Sequence, residues 1–198
     1  MAKLGAYLRQ EGFETWSRTY PSRRHSISYL ASELSDELVA VAGERPLCAV
    51  THSMGGIVVR HLQDPRLQWK RIVMLAPPNQ GSQLAGSIVR NPLFRWFYGP
   101  AGAELADATS WPMPRAPFAV IAGTRSLALT NVTSWTMGRL FPAGVRNDGT
   151  VAVDETRLAG MTHFAEVDAT HTWIMNAPQV RRLVLAYLRD GAFPNVTG

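Results

Sequence analysis

Three short apolar runs set the strongest limit on the fold of this chain: Leu47-Cys48-Ala49-Val50, Ile72-Val73-Met74-Leu75-Ala76 following Arg71, and Phe118-Ala119-Val120-Ile121-Ala122-Gly123. A continuous apolar run, unlike an alternating one, belongs to a strand buried on both faces. Between and around these runs the spacing turns helical. Residues 2–11 put Leu4, Tyr7 and Leu8 on one face and stop at Gly12. Ser26 to Val41 carries Ile27, Leu30, Leu34, Leu38 and Val41 and closes at Gly43. Residues 56–63 and Gln179 to Arg189 also read as helices, while Phe13 to Tyr20, ended by Pro21, and Phe164 to Ala169 read as further strands. Strands alternating with helices predict an α/β fold, a mostly parallel sheet with helices on both faces. A chain of 198 residues suits a single domain spanning 1–198.

Composition removes several classes. Hydrophobic residues make up 46% and charged residues 18%, a globular balance. No apolar run approaches the roughly eighteen residues of a transmembrane segment. The amphipathic, charged start is not a signal peptide, which points to the cytoplasm for the chain as it stands. Cys48 alone can form neither an internal disulfide nor a multi-cysteine zinc site. The net charge of +5 raises nucleic acid as a partner. Yet the arginines are scattered, with pairs only at Arg23-Arg24 and Arg181-Arg182, and no nucleic-acid motif accompanies them. No nucleic-acid partner is expected, and oligomeric state is not legible.

Chemistry concentrates where the first apolar run ends. Ala49-Val50-Thr51-His52-Ser53-Met54-Gly55-Gly56-Ile57-Val58 places a serine between a buried strand and a helix, with small residues behind it. A nucleophile elbow requires that context: the sharp turn projects the hydroxyl from the sheet, and the next N–H, here Met54, can meet a developing oxyanion. Gly55 is expected to keep the strand–helix crossing clear. Thr51 stands where G-x-S-x-G has its first glycine, which weakens the match; a plain helix-capping serine is the alternative.

A serine hydroxyl needs a base to take its proton and an acid to orient that base. Behind such an elbow the acid comes first along the chain and the histidine second. Asn147-Asp148-Gly149-Thr150-Val151 offers a carboxylate at a turn after the third apolar run, and Asp168-Ala169-Thr170-His171-Thr172-Trp173 a histidine after the last strand. Ser53, Asp148 and His171 thus fall at strand ends on one edge of the sheet, where such folds bind ligands. Asp148 is preferred for its turn glycine, with Asp154 in reserve and Asp168 competing. His52 adjoins the serine, but consecutive residues across a tight elbow are expected to point apart. His25, His61 and His163 read as ordinary polar residues, and Cys48 as a small core residue. Two long stretches, 81–116 and 125–146, are either covers over the site or surface helices packed on the core.

Together with Tyr20-Pro21-Ser22, Leu75-Ala76-Pro77-Pro78-Asn79-Gln80-Gly81-Ser82 and Ile121-Ala122-Gly123-Thr124, these motifs resemble bacterial α/β-hydrolases of the lipase/esterase type along nearly the whole chain. The resemblance implies carboxyl-ester hydrolysis on a small-molecule or lipid ester without metal or organic cofactor. Ser53 would be nucleophile, His171 base and then acid, Asp148 its orienter, and the Met54 N–H one oxyanion donor. In one respect the chain departs from the pattern. The family places a strand ending in His-Gly ahead of the helix at residues 2–11, and that loop donates the second oxyanion N–H. Nothing upstream of Ser53 matches it, so the chain reads as an N-terminally shortened fold, with Met1 an internal methionine of a longer reading frame. Such an N-terminal segment would leave localisation open. A naturally short protein, with residues 13–20 moved beside residues 47–52, is an alternative, and so is an inactive copy. The functional expectation is a serine esterase working through an acyl-enzyme; an acyltransferase on the same residues and a non-catalytic fragment are the alternatives.

Overall fold

Alternate residues of the central strands bury into two separate apolar clusters, and this period of two divides the molecule into layers. Val73, Leu75, Ala119 and Ile121 join Leu4, Leu8, Val180, Leu183, Val184 and Tyr187 on one face. Ile72, Met74, Phe118 and Val120 join Ile27, Ala31, Leu34, Ile57 and Val58 on the other. The structure, a computed structural model, describes residues 1–20, 25–81, 111–126, 141–142 and 144–194. The expected cover at 81–116 lies outside the described residues for all but 81 and 111–116, as does most of 125–146.

Four strands, β1 (Leu47–His52), β2 (Trp69–Leu75), β3 (Phe118–Gly123) and β4 (His163–Val167), form one sheet in the order β1-β2-β3-β4. Every pairing is parallel, with His52 opposite Leu75, Leu75 opposite Ile121, and Ile121 opposite Ala165. The carboxyl ends of all four strands therefore meet at one edge. Helices α1 (Ala2–Gln10) and α5 (Pro178–Asp190) cover one face, while α2 (Ile27–Ala42) and α3 (Gly55–His61) cover the other. The short helix α4 (Val153–Thr156) precedes β4, and a 3-10 turn, His171–Asn176, follows it. Among the described residues no helix is long and apolar enough to cross a membrane.

Local chemistry explains the boundaries. The Ser26 hydroxyl accepts the Tyr29 N–H at 3.2 Å and starts α2. Gly12 ends α1 at φ +89 and Gly43 ends α2 at φ +57, where a side chain would be strained. One expectation fails. Residues 13–20 form no strand, although their apolar residues suggested one. Phe13 closes α1, its N–H donating to the Leu8 carbonyl at 3.0 Å, and packs on the first cluster; Tyr20 packs on the second. Between them side chains hold the segment: Arg9 donates to Thr15, Arg45 pairs with Glu14, and Arg18 with Glu37. Those anchors fix an extended chain without a ladder partner among the described residues.

Candidate active site

The nucleophile candidate sits under strain. Ser53 adopts φ +53, a left-handed backbone that a residue other than glycine rarely takes. The turn is fastened on both sides: the Ser53 N–H donates to the Leu75 carbonyl at 2.9 Å, and the Gly56 N–H returns to the Ser53 carbonyl at 2.9 Å. Helix α3 begins at once behind it, which leaves Met54 as its N-cap. Among the described residues nothing accepts the Met54 N–H.

The tight crossing lies one residue later than expected. A Cβ on Gly55 would make ordinary contacts of 3.5 Å with Thr51 Cβ and the Tyr20 hydroxyl. The room there also lets threonine replace the usual first glycine. A Cβ on Gly56, in contrast, would stand 2.7 Å from Pro77 Cβ. The chain after β2 presses against the start of α3, and Ala76 turns it there at φ +45.

Asp148 and His171 reach the serine from across the sheet. The Ser53 hydroxyl and His171 Nε2 are 2.9 Å apart, and His171 Nδ1 lies 2.7 Å from Asp148 Oδ2. The Asp148 carboxylate is 1% exposed, and its other oxygen accepts the N–H groups of Thr150 at 3.0 Å and Val151 at 2.8 Å. Those bonds leave Oδ2 facing the imidazole, so Nδ1 carries the proton and Nε2 is the acceptor for the serine. Main chain joins the same two residues, the His171 N–H donating to the Asp148 carbonyl at 2.9 Å. Gly123, at the end of β3, makes room for both segments: a Cβ there would meet the Ala169 carbonyl oxygen at 2.6 Å and Asp148 Cβ at 2.8 Å.

The competing residues lie elsewhere. Asp168 forms a surface pair with Arg125, whose hydrogen bond pulls the carboxyl below its ordinary range. The Asp154 side chain is 90% exposed, its partner being Arg157 at 3.7 Å. His61 bonds the Ile57 carbonyl within its own helix, and His163 packs edge-on to Tyr187 and Phe193. Cys48 is half-buried in the first cluster, and burial pushes its thiol up.

Three features were not legible from sequence. His52 does not point away: its ring lies 4.8 Å from that of His171, and its Nε2 is 2.9 Å from the His171 carbonyl oxygen. Burial first, and then His171, push His52 down to about 3. Arg60, deep behind the elbow, donates to the carbonyls of Pro112 at 2.8 Å, Asn79 at 3.1 Å and Trp111 at 3.0 Å. Burial lowers it to about 10. Asn79 passes the connection on, its amide donating to the Thr156 carbonyl at 2.9 Å. A lone arginine after Ile57-Val58-Val59 was the one available signal for this network.

No family model matches the sequence. Over 81 residues the chain is 32% identical to protein SERAC1 of Mus musculus, a match covering 35% of this chain and 12% of that protein. The mature form of Bacillus licheniformis lipase BlEst2 superposes with a TM-score of 0.74 at 16% identity, over 94% of this chain and 82% of that one. The propeptide form gives 0.76 at 18% identity, over 99% and 48%. The Paleococcus ferrophilus monoacylglycerol lipase gives 0.58 at 15% identity, over 96% and 88%. Likenesses at these identities speak to architecture.

Proposed function

We propose that this chain, which has the α/β-hydrolase fold, is a serine hydrolase of carboxylic esters acting through an acyl-enzyme on Ser53. One observation carries the reading: an unbroken chain from the Ser53 hydroxyl through the His171 imidazole to the Asp148 carboxylate, at 2.9 Å and 2.7 Å, on a strained elbow. Ser53 Oγ attacks the ester carbonyl as His171 Nε2 takes its proton. Asp148 orients the imidazole and stabilises the imidazolium. The Met54 N–H faces the oxyanion of the tetrahedral adduct. Collapse expels the alcohol, which takes the proton from Nε2. Water then repeats the sequence on the acyl-enzyme, giving up one proton to His171, and releases the acid. The lipase-type neighbours favour a small-molecule or lipid ester as substrate within one domain over residues 1–198, with neither metal nor organic cofactor in the cycle.

The test is hydrolysis of p-nitrophenyl butyrate by the 198-residue chain, with Ser53→Ala beside it and a fluorophosphonate label as a second readout. The expected result is turnover that falls by about four orders of magnitude in the variant, together with label on Ser53 alone. Parent-level turnover in Ser53→Ala, or a folded parent that neither turns over nor takes the label, sinks the reading.

A further inference from the structure

His52 and His171 lie at opposite ends of the sheet order. β1 and β4 are three strand spacings apart, on the order of 14 Å, and no ladder hydrogen bond joins them. The chain after β4 must cross the ends of β3 and β2 before His171 reaches Ser53. Asp148 holds His171 twice, through Nδ1 and through the main-chain N–H. Both bonds fix the imidazole to the 147–151 turn and neither fixes it to the serine. Besides the reactive Ser53–His171 pair, a bond from the residue adjoining Ser53 ties His171 to β1: His52 Nε2 to the His171 carbonyl oxygen at 2.9 Å.

We propose that His52 is the positioning residue of this site, its Nε2–H clamping the main chain of the base to the strand end that carries the nucleophile. This rests on the reading of His171 as the base. The chemistry specifies the protonation of the clamp. A carbonyl oxygen only accepts, so Nε2 must carry the hydrogen, and a neutral ring then has a bare Nδ1. The titratable groups that act on His52 are His171, in ring contact with it, Asp148 and, more weakly, the Met1 amine. Burial, and then repulsion from an imidazolium at His171, oppose a positive charge on His52 and outweigh the bond to the His171 carbonyl and the Asp148 carboxylate, which favour it. A neutral clamp holds the base without competing with the imidazolium that forms in each turnover.

The experiment compares wild type, His52→Phe, His52→Gln and Ser53→Ala on p-nitrophenyl butyrate, with nitrogen-15 NMR of the wild-type histidines. Phenylalanine keeps the ring volume and loses the donor; glutamine places an amide N–H at about the reach of Nε2. The expected pattern is a kcat about ten- to a hundredfold lower in His52→Phe with KM within about twofold, most of it recovered in His52→Gln. NMR should find His52 in the Nε2–H tautomer and unchanged between pH 5 and 8. An Nδ1–H tautomer, an imidazolium forming near pH 6, or a folded His52→Phe with parental kcat each overturns the proposal. The NMR result decides even if His52→Phe does not fold. Parental activity in Ser53→Ala would instead remove the hydrolase reading and leave the tautomer measurement standing on its own.

Discussion

At the scale of single residues, what separates Asp148 from its competitors is burial together with the backbone N–H groups its carboxylate accepts. Thr150 and Val151 occupy one oxygen of Asp148, and the imidazole Nδ1–H meets the other. In Asp148→Asn the amide would turn its oxygen to the two backbone donors and its NH2 to His171. That arrangement favours the wrong imidazole tautomer and leaves Nε2 unable to accept from Ser53. The expected outcome is a kcat about a thousand- to ten-thousandfold lower, with far-ultraviolet circular dichroism unchanged. Asp168→Asn breaks only the exposed pair with Arg125 and should stay within about twofold of the parent. A similar loss in both variants would mean that the acid is misassigned. The sequence carried this choice as far as turn chemistry reaches. Asn147-Asp148-Gly149 was readable as a tight turn, and Gly149 does take φ +93. His52 was unreadable because its partner lies 119 residues away, and only the tertiary crossover brings the two rings together.

At the scale of elements, the apolar runs were legible because burial on both faces leaves little choice of residue, and β3 has the expected bounds at Phe118–Gly123. Residues 13–20 were misread for the complementary reason. A strand is defined by its partner, and Phe13 and Tyr20 bury equally well from an extended chain that touches both clusters. Helix α4 and the 3-10 turn are too short to show a period and are held by tertiary bonds, such as the Asn79 amide to the Thr156 carbonyl at 2.9 Å. Gly123 joins element to site most directly. An alanine there would place Cβ 2.6 Å from the Ala169 oxygen, a backbone atom that can move only with its chain. Gly123→Ala should therefore cost about 1–3 kcal/mol in urea unfolding. It should also lower kcat more than KM, because the displaced segments are those of Asp148 and His171. Loss of stability with full activity would show that the strand end yields without disturbing the site.

Over the whole molecule, the burial of the His52 ring at this crossing makes folding sensitive to acid. His52 is pushed down to about 3 in the folded chain, against an ordinary value of 6.5. Between those limits the unfolded chain binds a proton that the folded chain refuses, so stability rises with pH through this window and is lost as pH falls through it. The slope from this group is at most about 1.4 kcal/mol per pH unit, and above pH 6.5 it contributes none. The surface carboxylates act in a lower window. Asp64, held down to about 2 by Arg66, adds stability above its ordinary 3.8 and gives it up only below that. A decline that begins between pH 6.5 and 4.5 is thus separable from ordinary carboxylate titration. Urea unfolding at pH 7, 5.5 and 4.5 should give a falling free energy for the parent and a shallower fall for His52→Gln. Removing Asp168, by contrast, should leave the slope above pH 4.5 unchanged. Equal slopes for parent and His52→Gln would mean that His52 takes up its proton as readily in the folded chain as in the unfolded one. A neutral clamp between the two ends of the sheet would then be untenable.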